Sequence, residues 1–292
     1  MSDKPILTQR YGKTKVNVVK VLKPKSSAAQ NIMDMTVSVL LDGDFARAYT
    51  EGDNRSVVPT DTCKNTVYYI AKTQEFSSPE EFGIKIAQRF LAHYAHVSTV
   101  TVDIVAHTWD RINTGHKSHP HPHSFKKNEE KRTCQVNASR SKTAILGGFS
   151  NINVLKTSAS SFEDYHMCEL TTLPPASDRI FATSVQSIWK HRPNERDFNG
   201  IFDTVKNITL NTFANEPSAS VQHSLYRMCT QVLAATTVED IRYSLPNNHV
   251  FVADMSRLGV QNAHGDGNAV YYPVDSPSGL IQAELTRSKA KM

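Results

Sequence analysis

A chain of 292 residues with 39% apolar and 21% charged side chains can build two domains or one large one around an ample core, which excludes a disordered chain. No apolar run reaches the roughly 18 to 20 residues that a membrane-spanning helix requires; the longest, around residues 37–41, fits a strand. The net charge of +5 favours anionic partners but comes without the dense Lys/Arg stripe of a nucleic-acid groove, so a small anionic substrate suits it. From the N-terminus, Tyr11-Gly12-Lys13-Thr14 precedes a strand predicted over 15–22, and a second strand follows over 35–41. Val58-Pro59-Thr60-Asp61-Thr62-Cys63-Lys64-Asn65-Thr66 then crowds hydroxyls, a carboxylate and an ammonium at the mouth of a strand expected over 67–71. Ser78-Pro79-Glu80-Glu81 supplies an N-cap, a first-turn proline and a capping-box glutamate. Phe82, Ile86, Phe90 and Tyr94 continue one apolar face, which predicts a helix. A strand over 99–106 follows, then a polar, histidine-rich and proline-broken hairpin loop over 113–131.

The second half echoes the first. Asp61-Thr62-Cys63-Lys64-Asn65 and Asp203-Thr204-Val205-Lys206-Asn207 share four of five residues. Each precedes an extended segment, a polar turn, a helix and a strand; in the second copy the helix starts near Ser218, with Val221, Leu225, Met228 and Val232 as its stripe, and the strand covers 241–245. The implied architecture is α+β: two tandem units, 1–140 and 141–292, each an antiparallel sheet with helices on one face. Unpaired sheet edges favour closure into a barrel or an oligomer. Thr60 precedes the aspartate in the first copy and Phe202 in the second, so chemistry at this position belongs to the first.

Cys63, Cys134, Cys168 and Cys229 have no C-x-x-C spacing, and no apolar signal region follows Met1, which reads as free thiols in a reducing compartment. His116, His119, His121 and His123 invite a metal, but Pro120 and Pro122 keep the backbone extended and prevent convergence on one tetrahedral centre. A solvated loop is the better reading. Lys13 alone is a surface ammonium; buried beside a hydroxyl such as Thr60 it becomes a relay base. Asn247 and His249, two apart in Leu245-Pro246-Asn247-Asn248-His249, place an amide and an imidazole on one side where a strand is expected to break, or form a turn with a surface histidine. Gln222 lies in a first helical turn that favours anions, Arg179 offers a planar donor fork, and Phe162 can stack on a flat ring. Each also has an ordinary structural reading.

Taken together, Tyr11-Gly12-Lys13, Thr60-Asp61, Lys64-Asn65-Thr66, His121-Pro122-His123-Ser124-Phe125, Val154-Leu155-Lys156-Thr157, Thr171-Thr172-Leu173, Asp178-Arg179, Ser220-Val221-Gln222 and Ser244-Leu245-Pro246-Asn247 with His249 resemble the urate oxidase (uricase) family, over about residues 11–285. The resemblance implies two tandem tunnelling-fold (T-fold) domains whose barrel is completed by oligomerisation into a homotetramer. It implies cofactor-independent oxidation of urate by O2 and water to 5-hydroxyisourate and hydrogen peroxide, with neither metal nor organic cofactor. Lys13 and Thr60 are then base and relay, and His249 assists proton movement. Arg179 and Gln222 grip the substrate, Phe162 stacks on it, and the backbone at Asp61 and Val221 binds its remaining polar edge. Asn247 and Thr60 hold oxygen or water. Active sites are implied at subunit interfaces, Thr60 and Asp61 from one chain and Phe162, Arg179, Gln222, Asn247 and His249 from its neighbour. Ala290-Lys291-Met292 resembles a peroxisomal import signal, which implies the import receptor as a partner and the peroxisome as location. One departure stands out: Phe162-Glu163-Asp164-Tyr165 replaces the Phe-x-Gly-Phe of many members. The rival readings are a non-oxidase purine- or pterin-binding protein of the same fold and a related, zinc-requiring pterin enzyme.

Overall fold

The computed structural model describes residues 6–115 and 120–288. The chain order is β1 (Tyr11–Leu22), β2 (Asn31–Gly43), α1 (Ala46–Thr50), α2 (Thr60–Thr73), α3 (Pro79–His93), β3 (Val97–Arg111), β4 (Phe125–Ser139), β5 (Thr143–Lys156), β6 (Phe181–Lys190), α4 (Phe198–Asn215), α5 (Val221–Ala235), β7 (Asp240–Val252) and β8 (Tyr271–Thr286). The strands follow one another in the order β1 to β8, with β1 and β8 at the two ends of the sheet. β1–β2, β2–β3, β3–β4 and β7–β8 pair antiparallel. Two compact units result: residues 1–149 with 190–199, and residues 150–189 with 200–292. The expected boundary at 140/141 falls in the turn between β4 and β5; the compact units divide inside β5, near the end of β6 and again inside α4.

In the first unit, period-2 alternation builds the sheet face that carries the core. Met35, Val37, Val39 and Leu41 of β2 pair with Ala106, Ile104, Val102 and Val100 of β3, and all but Ala106 are buried. α2 packs on β1, and α3 on β3 and β4, with Phe82, Ile86 and Phe90 fully buried. The alternate β2 residues are polar: Thr36 donates to Asn17 Oδ1 at 2.9 Å. Arg132, on the core face of β4, reaches the buried carboxylate of Glu80 at 2.7 Å. Burial pushes the Glu80 carboxyl up, against the pull of Arg132.

Two expectations fail here. Residues 67–71 are not a strand but the second half of α2. Val67, Tyr68, Tyr69 and Ile70 each favour a strand locally, but Cys63, Val67, Ile70 and Ala71 recur at helical spacing and are the buried set, while Tyr68 and Tyr69 face solvent. Residues 203–207 likewise lie inside α4, not before an extended segment. The predicted start of α3 is observed: Ser78 Oγ accepts from the Glu81 N–H at 3.1 Å, and Glu81 reaches back to the Ser77 N–H at 2.6 Å.

In the second unit, α5 lies on β7 and β8 through Val221, Leu225, Met228 and Val232, the stripe read from sequence. Ile241, Tyr243 and Leu245 alternate into that core, and the buried Tyr243 hydroxyl is 2.6 Å from Thr209 Oγ1. The cysteines are free thiols; Cys63, Cys134 and Cys229 are buried and Cys168 is exposed. Among the described residues no helix is long and apolar enough to cross a membrane.

Candidate active site

Lys13 lies within β1, not before it, and a bulge decides where it points. Lys13 pairs with Val39 and Val16 with Val37, so Thr14 and Lys15 together oppose Ser38. Lys15 absorbs the extra residue with φ of 57°. Val37 and Val39 share the core face, so Lys13 shares a face with Tyr11, Val16 and Val18, where uninterrupted alternation would set Lys13 and Val16 on opposite sides. Gly12 permits this approach: a Cβ there would lie 1.9 Å from the Val39 carbonyl oxygen.

The same end of β1 is tied to the start of α2. The Val58 N–H donates to the Tyr11 hydroxyl at 2.7 Å, and that hydroxyl donates to the Val58 carbonyl at 3.2 Å. Burial pushes the Tyr11 phenol up to about 12. Pro59 begins α2, and Thr60 and Asp61 occupy its exposed first turn, where no side chain caps the N–H groups. The Asp61 carboxylate is occupied within the helix, accepting from Lys64 Nζ and, at 2.9 Å, from Asn65 Nδ2. Lys64, and more weakly Lys13, hold the Asp61 carboxyl below the usual carboxylate range. The field of Lys13 also reaches Cys63, so Lys13 stands in the same electrostatic neighbourhood as the first turn of α2. With its carboxylate engaged within the helix, Asp61 presents its backbone N–H at the uncapped first turn.

The second unit gathers a different group. Ser218 donates its N–H to the Ala159 carbonyl at 2.9 Å and accepts from the Ser161 N–H at 2.8 Å, which ties the segment before Phe162 to the approach of α5. Phe162 and Ala176 exchange both backbone hydrogen bonds, at 2.8 and 3.0 Å. Asp178 accepts from Ser158 Oγ at 2.7 Å, which anchors the residue before Arg179. The Arg179 guanidinium therefore stands over the Phe162 ring, 5.0 Å from its centroid, and partial burial lowers its basicity. Val221 and Gln222 open α5, whose N-cap Ser220 accepts from the His223 N–H at 3.1 Å; Val221 is buried and Gln222 exposed.

Asn247 and His249 lie in β7, which continues through Pro246 instead of breaking there. The irregularity is in the partner strand: Asn247 pairs with Gly279 and His249 with Val274, so four residues of β8 oppose Asn248 alone. The His249 ring stacks on Phe251 at 5.9 Å. Asp164, the residue in place of the family glycine, has φ of 56°, in the left-handed region that glycine favours and aspartate tolerates. That backbone turn lays Tyr165 on Phe162, with centroids 4.7 Å apart and planes at 13°. Tyr165 is not among the site residues expected from the sequence, where its signals are the spacing of three from Phe162 and the aromatic that the family's Phe-x-Gly-Phe carries at that position.

His116 and His119 lie outside the described residues, as do Ala290-Lys291-Met292. The His121 and His123 rings meet edge to face at 4.5 Å. No group of three or more His, Cys, Asp or Glu suited to a metal occurs among the described residues.

The uricase family model matches residues 9–137 and 145–282. The chain belongs to the uricase family. It is 39% identical to the uricase of Aspergillus flavus, covering 97% of each chain, and 40% identical to that of Cyberlindnera jadinii, covering 96% of each. The crystal structure of uricase from Arthrobacter globiformis superposes with a TM-score of 0.89 at 35% identity, covering 99% of this chain and 98% of that one. A uricase from Bacillus fastidious, at 24% identity and a TM-score of 0.82, shares the fold. The open antiparallel sheet with few helices is thus the tunnelling fold of uricases.

Proposed function

We propose a cofactor-independent mechanism for this urate oxidase, an oxidoreductase with O2 as acceptor. Urate is an electron-rich purine anion, and removing a second proton makes it reducing enough to pass two electrons to O2. Water then supplies the hydroxyl of 5-hydroxyisourate, and O2 leaves as hydrogen peroxide. The protein supplies base, position and electrostatics. Lys13, acting as the neutral amine, takes the proton from the Thr60 hydroxyl as that hydroxyl takes one from urate, and His249 assists proton movement. Arg179 and Gln222 grip one edge of the ring, Phe162 stacks beneath it, the N–H groups at Asp61 and Val221 bind the remaining edge, and Asn247 with Thr60 hold oxygen or water.

The observation that carries this reading is the Phe162–Arg179 pair. An aromatic face and a planar cationic fork held 5.0 Å apart suit a flat anion with O/N edges. The pairing of Lys13 with Val39 supports it, because it sets the Lys13 side chain on the face of β1 that Tyr11 ties to the start of α2 through Val58. In this proposal Thr60 and Asp61 meet the Phe162 group of a neighbouring chain, two tandem units per chain assemble into a homotetramer, and the enzyme works in purine breakdown in the peroxisome. The Ala290-Lys291-Met292 pattern and the peroxide product support that location.

The deciding assay follows loss of urate ultraviolet absorbance together with O2 uptake in chelating buffer. Turnover with one O2 consumed per urate is the expected result. Failure of both signals would overturn the oxidase, and turnover lost only on chelation would overturn the cofactor-free mechanism.

A further inference from the structure

We infer that Tyr165 is a positioning residue for the substrate ring: stacked on Phe162, it fixes the plane of the ring against which a flat anion is held. The inference rests on the urate-oxidation reading of this site. Three observations place Tyr165 in that role. Its ring is nearly parallel to Phe162, at 13° and 4.7 Å between centroids. Its hydroxyl donates to the Leu173 carbonyl, which holds the ring in place from the far end. Asp164 turns the backbone through the left-handed region, with φ of 56°, and this brings Tyr165 back over Phe162.

The consequence for binding is steric and entropic. Phe162 is anchored through its backbone to Ala176, but that pairing leaves the torsion of its ring free. A partner stacked on one face removes that freedom before substrate arrives, so less ordering remains to be done on binding. It also fixes the ring over which the Arg179 guanidinium stands, 5.0 Å from the centroid, so the plane of the aromatic surface and the position of the cationic fork are set together. Tyr165 thereby couples where the ring stacks to where its polar edge is gripped, without touching substrate itself.

A role in positioning differs from a role in folding by its kinetic signature. Tyr165→Leu removes the stack and is expected to raise KM for urate, and Kd measured by anaerobic difference absorbance, about fivefold while kcat stays within about twofold. Tyr165→Phe keeps the stack, loses only the tether to Leu173, and should recover KM to within about twofold of the parent enzyme. Unchanged KM and Kd in Tyr165→Leu, or a fall in kcat with KM unchanged, would overturn the inference while leaving urate oxidation intact. An inactive parent enzyme would overturn both. Should Tyr165→Leu fail to fold, Asp164→Ala takes its place: strain at a left-handed alanine is expected to displace Tyr165 and raise KM about twofold, and an unchanged KM would overturn the proposal.

Discussion

The segments Asp61–Asn65 and Asp203–Asn207 are nearly the same sequence put to different use. In the first, Pro59 ends the extended approach and α2 starts at Thr60, so the aspartate sits in an exposed first turn with free N–H groups. In the second, α4 has been running since Phe198, and the N–H groups of the same five residues fall within the helix, past its first turn. The residue before the aspartate records the difference: Thr60 is exposed, and Phe202 is buried with its ring 6.3 Å from that of Trp189. Whether such a motif presents first-turn N–H groups or lies inside a packed helix depends on where the helix begins relative to it. A tandem duplication in which one copy kept a helix start and the other kept its packing accounts for the pair, and we propose that origin.

Substitutions on the two sides of the comparison should separate chemistry from stability. Thr60→Ala is expected to lower urate turnover about a hundredfold, the usual scale for a lost proton relay, with an unchanged circular dichroism spectrum. Unchanged turnover would remove Thr60 from the relay and make the two copies equivalent. Phe202→Ala, at the corresponding position, should cost about 3–5 kcal/mol of stability by leaving a cavity, read as a lower denaturant midpoint, while kcat per folded molecule is preserved. Ser220→Ala should cost about 1 kcal/mol by removing the cap that α5 has and α2 lacks. The smallest effect is expected for Lys64→Gln: Asp61 and Lys64 form an exposed pair, so the melting temperature should not move measurably. A large loss of urate affinity in that variant would show that the pair sets the helix start and is not a solvated ornament.

Local rules made some of this molecule legible and left the rest hidden. The start of α3 was readable because Ser78, Pro79 and Glu81 act within a few residues of one another. The cores of β2 and β3 were readable from alternation. α2 was not, because its β-branched and aromatic run misstates a preference that the helical recurrence of Cys63, Val67 and Ile70 overrides in the packed state. Phe162 and Arg179 could each be named from residue chemistry, but not as a pair, since their meeting depends on the Phe162–Ala176 and Ser218–Ala159 backbone bonds, which no spacing announces. The consequence of Asp164 was open for a similar reason: a charge near the stacking ring could be foreseen, whereas the left-handed backbone it adopts could not.

The bulge in β1 bears on how this strand tolerates changes of length. Removing Thr14 or Lys15 would leave Lys13 and Val16 two positions apart, still opposite Val39 and Val37, and so on the same face. The odd residue between them is therefore a spare link: the chain can lose it and keep both its lysine and its core in phase. A further insertion at the same point would set Lys13 and Val16 four positions apart, again in phase, but it would leave three residues opposite Ser38 or slip one half of the strand by two positions against β2.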